Sequence, residues 1–510
     1  MKRCDCQEFH KHGSVSLAKG GEKVGRKGQK KTEEQPSGKV PLLTQELPQG
    51  VFSLMSIQFR QGKLQGQERT EVLQEVQKQV KSAALLAIKP VISAFLETEQ
   101  EAKLGRAKGE PRRVSSQPRE IDWVCGHCGC RDAHQFTRDG HYRRSLATSY
   151  GLLEDLQVPM LECQCCGHDV ICAFAILEKY ERFWYDLDQQ VLFGSGLCQS
   201  LRDLSQQWSA NLESQVGLRT LNERINQIEP LIEQARRQPI TEVPPVVQFD
   251  GIWLTIVDQQ EAVKVDKRGR RRKQRRGKQV VVLVALGFWP DGRRQVLDWE
   301  LASSEEHTQW QKLLERLQER GLTLERGLQA IVRDGCGGLG EAVALVYGSK
   351  VIEQRCLFHK LRNVADKGRE DLKGEQNKEM RQQLLAEASA IYQAEDAAGA
   401  RQRLAAFAQK WAEPAPKAVA CLQRDFEQTI AFYALPGMNR EIIRTTSLLE
   451  RTNRQLRRKF RQAGSFGSAC GASVALYLQA RRLNAGWSKT KTTWWEASHS
   501  LFFDWLNLHP

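Results

Sequence analysis

The 510-residue chain reads as an α/β protein: a mixed sheet with helices on its faces, interrupted by an all-helical insertion and preceded by a cysteine-rich module and a helical region. Three observations predict this. Apolar runs of strand length alternate with amphipathic helical periods between 246 and 365, and the helical period then continues alone to about 440. Two C-x-x-C-G turns stand near 125 and 163.

The sheet comes first. VVQFDGIWLTIV (246–257), QVVVLVALGFW (279–289) and RRQVLDWELA (293–302) are strand-like and follow one another in hairpin order. EEHTQWQKLLERLQERG (305–321) is an amphipathic helix, GLQAIVRD (327–334) a fourth strand, GLGEAVALVYG a helix and SKVIEQRC a fifth strand. Residues 366–440 carry helical periodicity only and form the insertion, so the sheet domain comprises 246–365 and 441–485, with 486–510 as a C-terminal segment. Trp494 and Trp495 in that segment are expected to pack.

Upstream, residues 1–50 have the composition of a disordered basic tail, with Met55 as an alternative start. A helical segment covers 60–110, with Pro90 expected to kink or split it. No uninterrupted run of about 18 apolar residues is present, and the N-terminus lacks the apolar core of a secretory signal. A soluble intracellular protein is expected. Fourteen cysteines in a reducing compartment then point to free thiols and metal ligands.

The cysteines cluster accordingly. VCGHCG supplies Cys125 and Cys128, and ECQCCG supplies Cys163 and Cys166. A turn with Gly after the second Cys aims two thiolates at one ion, and two such turns make the four-sulfur set of one structural Zn²⁺. With short strands between them, 120–172 is expected to be a zinc ribbon. Cys130, Cys165, His127 and His168 lie near enough to exchange for one ligand.

Residues 185–238 hold two helices joined by a short turn, the second bearing Arg219 and Arg224. This suits a helix-turn-helix DNA-binding region as well as plain packing. A denser charge lies at 264–278, KVDKRGRRRKQRRGK, with ten Lys or Arg against one Asp, nine of the chain's net +15 charges. Between the first two strands it would form a basic loop facing DNA backbone through Arg270, Arg271, Arg272, Lys273, Arg275 and Arg276.

Chemistry is expected from acids. Asp250 lies on the first strand and Asp334 at the end of the fourth, and these strands can be neighbours. Two carboxylates about 4 Å apart repel by roughly 4 kcal/mol at an effective dielectric of 20, so a cation belongs between them. Hard oxygen ligands select Mg²⁺ or Mn²⁺. A lone strand-end Asp is often only a turn or cap, and a third acid decides. Glu450, on a helix beginning near Ser447, shares a face with Asn453, Arg454 and Arg457, although Ser447 and Glu450 also match a capping box.

Asp250 in FDGIWL, Asp334 in IVRDGCGGLGEAV, the block IEQRCLFHKLRNV, Trp411, FYALP (432–436) and RTTSLLERTNRQLRRKF together resemble bacterial insertion-sequence transposases of the Mutator type, in order and over about 246–470. The resemblance implies a DDE catalytic domain of ribonuclease H-like fold, with an all-helical insertion before its last acid. It implies Asp250, Asp334 and Glu450 as the catalytic triad holding two Mg²⁺ or Mn²⁺, with Cys356, His359 and Arg457 in support. It further implies DNA as partner, both transposon ends and target, with Asn453 and Arg454 beside the phosphates. At least a dimer on DNA and a cytoplasmic, nucleoid-associated bacterial location complete the expectation. Ser447 departs from the Asn common at that position, and the cysteine module and tail are not general features. Two other readings use the same residues: a metal-dependent DNA nuclease that does not join strands, and a non-catalytic zinc-ribbon regulator derived from a transposase.

Overall fold

The computed structural model describes residues 66–112, 117–265, 267–435, 437–490 and 492–506, so the basic tail of 1–50 lies outside the described residues. Two compact units divide after Val76. The described part of the first is the start of helix α1 (Gly66–Leu104), and the second holds every other described element. Pro90 lies inside α1 without splitting it. By length and composition Arg69–Leu104 is apolar enough to cross a membrane. Lys81 and Lys89 interrupt this stretch, which is why no unbroken apolar run marks it in the sequence. Ile92, Leu96 and Leu104 of α1 are buried in the core of the cysteine module.

That module is an antiparallel sheet of β1 (Phe136–Thr148), β2 (Gly151–Cys163) and β3 (His168–Ile171). Its apolar residues alternate inward, with Phe136, Leu146, Leu156, Val158 and Leu161 almost fully buried. Next come α2 (Tyr185–Gly196), α3 (Leu201–Leu212), α4 (Leu218–Asn226) and α5 (Glu229–Arg237). Ser200 closes α3 with a capping box to Asp203. This helical region shares one core with the sheet domain: Leu187, Trp208, Leu221 and Ile232 pack with Val246, Val284 and Leu476.

The central sheet has the order β6-β5-β4-β7-β8, formed by β4 (Val246–Val265), β5 (Arg271–Phe288), β6 (Arg294–Ala302), β7 (Ala330–Arg333) and β8 (Ile352–Arg355). The first three strands pair antiparallel as hairpins, and β7 and β8 join parallel to β4. Parallel strands need crossovers. Helices α6 (His307–Glu319) and α7 (Gly337–Tyr347) supply them and cover one face through Trp310, Leu313, Leu339 and Val343. The opposite face is covered by the helical region and by the elements after β8.

Between Trp253 and Phe288 the expectation fails: 264–278 is not a loop. β4 and β5 stay paired out to Val265 and Arg271, so the basic run is the tip of a β-ribbon, made of the end of β4, the turn and the first residues of β5. Beyond the pair Trp253–Val281, β6 no longer flanks it. The two-stranded part is about 40 Å long at about 3.3 Å per residue, and Phe466, bonded to Thr255 and Val257, braces its base. Valines at 263 and 265 alternate along β4, and Gly269, at a φ of +72°, closes the turn.

After β8, α8 (Leu357–Asp371) leads into α9 (Lys378–Ile391), α10 (Ala397–Trp411), α11 (Pro416–Gln423), α12 (Phe426–Thr429) and α13 (Arg440–Arg444). Residue 366, the expected start of the insertion, lies inside α8. The chain returns as α14 (Ser447–Ala463) and α15 (Ala469–Trp487) and ends on α16 (Trp494–Leu506). Asn484 of α15 bonds both the N–H and the C=O of Val296, occupying backbone groups of the edge strand β6. Trp494 packs as expected, with its indole N–H on the Phe193 carbonyl at 2.9 Å.

Candidate active site

Strand register puts Asp250 and Asp334 level with each other. β4 and β7 run parallel with Gln248 opposite Val332, and each acid stands two residues beyond that pair. Asp250 Oδ2 accepts from Asn453 Nδ2 at 2.6 Å and its Oδ1 from the Gly251 N–H at 2.9 Å. Burial, and then the charge of Asp334, push the Asp250 carboxyl up to about 6. Asp334 Oδ1 accepts the Cys336 N–H at 2.8 Å, holding the turn into α7.

Glu450 reaches the same place from α14. The capping box expected from Ser447 is not formed: Thr446 is the N-cap residue and makes no side-chain cap bond. Glu450 Oε1 instead accepts from Thr446 Oγ1 at 3.4 Å and lies 3.8 Å from His359 Nε2. Thr446 is itself anchored, because its N–H and its hydroxyl both donate to the buried Cys356 Sγ at 3.3 Å. Cys356 thus ties the end of β8 to the start of the Glu450 helix. Burial pushes its thiol up, but His359 and Thr446 outweigh this and the net shift is down.

His359 stands among the acids. The Cys356 sulfur, against the cost of burial, and then the charges of Asp334 and Glu450 raise it to about 8, so at pH 7 it is a cation. Its Nδ1 is buried without a hydrogen-bond partner among the described residues, as is Asn453 Oδ1. Among the described residues, the groups of three or more ligating atoms lying within 4.8 Å of one another consist of Cys and His. Asp250, Asp334 and Glu450 are spread wider than that, as uncompensated like charges should be.

The face expected on α14 divides. Asn453, expected as a DNA contact, is fully buried on Asp250, Arg457 is half-buried and Arg454 is exposed. Arg224 needs the same correction: it pairs with Asp188 at 2.9 Å and Glu181 at 3.6 Å and stacks on Phe183, so it does not point outward. Arg219 is exposed and pairs with Glu223. On the ribbon Arg270, Arg271, Arg275 and Arg276 are exposed, and the side chains of Arg272 and Lys273 lie outside the described residues.

Sequence reasoning missed Gln248 and Glu305. Gln248, fully buried two residues before Asp250, donates to the carbonyls of Ile442 and Thr445 at 2.6 and 3.1 Å and so holds the chain entering α14. A polar residue at an inward position of an apolar strand is the available signal. Glu305 lies beside Asp334, its carboxyl raised by burial and by that charge. In the sequence it is simply the first residue of an amphipathic helical period.

The cysteine turns converge. Cys125 Sγ lies 3.5 Å from Cys166 Sγ and Cys128 Sγ 3.6 Å from Cys163 Sγ, and all four sulfurs fall within 4.8 Å of one another. Zinc–sulfur bonds of about 2.3 Å in a tetrahedron set the sulfurs about 3.8 Å apart. The Cys128 N–H, against burial, brings the Cys125 thiol down to about 6, whereas burial pushes Cys163 up. Two further groups flank the four: Cys130 and Cys165 with Cys163, and His127 and His168 with Cys166.

Residues 126–490 match the family described as "Transposase, Mutator family". The chain belongs to the Mutator family of transposases. Among the relatives of this Mutator-family chain is the transposase for insertion sequence element ISRM5 of Rhizobium meliloti (strain 1021), 26% identical over 373 residues, which cover 73% of this chain and 80% of that protein. The transposase for insertion sequence element IS256 in transposon Tn4001 of Staphylococcus aureus is 25% identical over 329 residues, 64% of this chain and 75% of that protein. In three dimensions the chain is similar to the Drosophila P element transposase strand transfer complex, with a TM-score of 0.24 and 10% identity over 63% of this chain and 80% of that one. That likeness is too slight to bear on fold or function.

Proposed function

We propose that this Mutator-family chain cleaves and joins DNA ends by phosphoryl transfer at a DDE triad of Asp250, Asp334 and Glu450, on a sheet of ribonuclease H-like order. The observation that carries this is the convergence of the three acids from β4, β7 and α14 on one sheet end, with His359 among them. The donors are carboxylate oxygens, and Asp250 is pushed up by burial and then by the charge of Asp334, a site that a hard divalent cation would relieve. Two Mg²⁺ or Mn²⁺ bound there would activate the attacking oxygen and stabilise the leaving one.

The chain's own residues do the rest. Asn453 fixes the rotamer of Asp250, Cys356 holds the start of α14 and so the position of Glu450, and protonated His359 offsets the acids' charge until a cation arrives. Cleavage adds water across a phosphodiester bond and frees a 3′-hydroxyl. In joining, that hydroxyl attacks a target phosphate and displaces a second 3′-oxygen, with no protein nucleophile. Arg270, Arg271, Arg275 and Arg276 of the ribbon, Arg219 and Arg454 face the DNA backbone, and Arg457 supports the site. Cys125, Cys128, Cys163 and Cys166 hold one structural Zn²⁺. Two ends cut together call for at least a dimer on DNA.

The test uses a DNA fragment carrying the coding sequence with its flanks, incubated with protein in Mg²⁺ or EDTA. Mg²⁺-dependent cuts at the ends, joined products and their loss in Asp334→Asn are expected. Cuts without joined products would leave a nuclease, and binding without cuts a regulator.

A further inference from the structure

Glu305 lies beside Asp334, in space that two glycines leave open. A methyl group on Gly251, the residue after Asp250, would sit 2.6 Å from Glu305 Oε1 and 3.1 Å from its carboxyl carbon. A methyl group on Gly338, four residues after Asp334, would sit 2.5 Å from the Glu305 carbonyl oxygen and 2.9 Å from the His307 N–H nitrogen. Real Cβ atoms do not come so near, so both positions must lack one for residue 305 to stand where it does. Gly251 makes room for the carboxylate and Gly338 for the backbone beneath it. Cys336, two residues past Asp334, adds a thiol contact to the Glu305 carbonyl at 3.5 Å.

Glu305 accepts a hydrogen bond from the Trp253 side chain but is half-buried facing the like charge of Asp334, a repulsion that a cation between the two acids would relieve. His359 is drawn to Asp334 and Glu450. A second sign of a missing ligand lies across the strand: the amide of Asn453 that touches Asp250 is fully buried, and its Oδ1 has no donor among the described residues.

We infer that Glu305 is a fourth carboxylate of the divalent-cation site, acting beside Asp334 on a cation that Asp250 and Glu450 approach from the other side. The inference rests on the proposed role of Asp250 and Asp334 as cation ligands. It gives Gly251 and Gly338 a purpose, which is to leave open the space that residue 305 occupies.

Mn²⁺ binding to the full-length, zinc-loaded chain, read by electron paramagnetic resonance of the free ion, tests it. Glu305→Gln should weaken the Mn²⁺ binding that Asp334→Asn abolishes by tenfold or more, while Glu306→Gln, at the exposed neighbour, changes it less than twofold. Glu305→Gln within twofold of wild type, with Asp334→Asn strongly weakened, overturns the inference and leaves the triad standing. Asp334→Asn without effect overturns both. If Glu305→Gln lowers the cation-free melting temperature, Glu305→Asp replaces it: retention of Mn²⁺ affinity by Asp and its loss in Gln supports a ligand, and equal affinity in the two overturns it.

Discussion

At Asp250 the fold holds a charge at its own expense. Its carboxyl is raised from the ordinary Asp value to about 6, so the folded chain binds this proton more tightly than the unfolded one. Stability from this group is therefore full below about pH 4 and falls as pH rises through 6. Asp250→Asn should stabilise the cation-free protein at pH 7 by up to about 3 kcal/mol, since each tenfold change in proton affinity is worth about 1.4 kcal/mol, and the gain should vanish by pH 4. Asn453 can turn its amide so that the unpaired Oδ1 accepts from the new side chain, which keeps the pair joined. Urea titrations at the two pH values in EDTA measure the difference, and an equal effect at both would remove charge burial as the cause. The level placement of Asp250 and Asp334 was legible in the sequence because strand order and one acid per strand sufficed. The fate of Glu450 was not. A capping box and a site carboxylate share the same four letters, and Thr446 with Cys356 decides between them.

The β4–β5 ribbon is the element where sequence reading failed most usefully. Ten basic residues looked like a loop because charge masks strand propensity, yet cross-strand pairing continues to Val265 and Arg271. Pairing sets Val265 opposite Arg271, and the exposed Arg270, Arg271, Arg275 and Arg276 repel one another unless an anion lies across them. A two-stranded ribbon is also slim enough for a DNA major groove. Replacing Arg270, Arg271, Arg275 and Arg276 with Gln should reduce the slope of log affinity against log salt by about 0.9 for each phosphate no longer neutralised. Fluorescence anisotropy with a labelled duplex over a KCl series reads it. An unchanged slope would move the DNA surface elsewhere. Helix α4 shows the converse limit: its pattern fitted a recognition helix, but the partners that occupy Arg224, Asp188 and Glu181, come from α2 and the segment before it.

Over the whole molecule, the proposed zinc bears most on the cysteine module. Its core is small, and Cys125 and Cys163 belong both to that core and to the four-sulfur group. Structural zinc contributes about 10–16 kcal/mol in isolated zinc modules. Elemental analysis should give one Zn²⁺ per chain, and Cys128→Ser should lose it, with protease cleavage appearing between 120 and 172. Zinc retained by the variant would point to Cys130 or His127 as the replacement ligand. This pair of turns was the most legible site in the sequence, since its geometry follows from spacing alone. The boundary of the helical insertion was the least legible, because α8 crosses it without a break. That continuity has a consequence for engineering. Excising the insertion at 366 would leave residues 357–365 as a stump well short of the roughly 12–15 residues at which isolated helices become even marginal in water. The imidazole at 359 rides on that stump, so the insertion is less a detachable cassette than the far end of a lever whose near end carries a charged group among the acids.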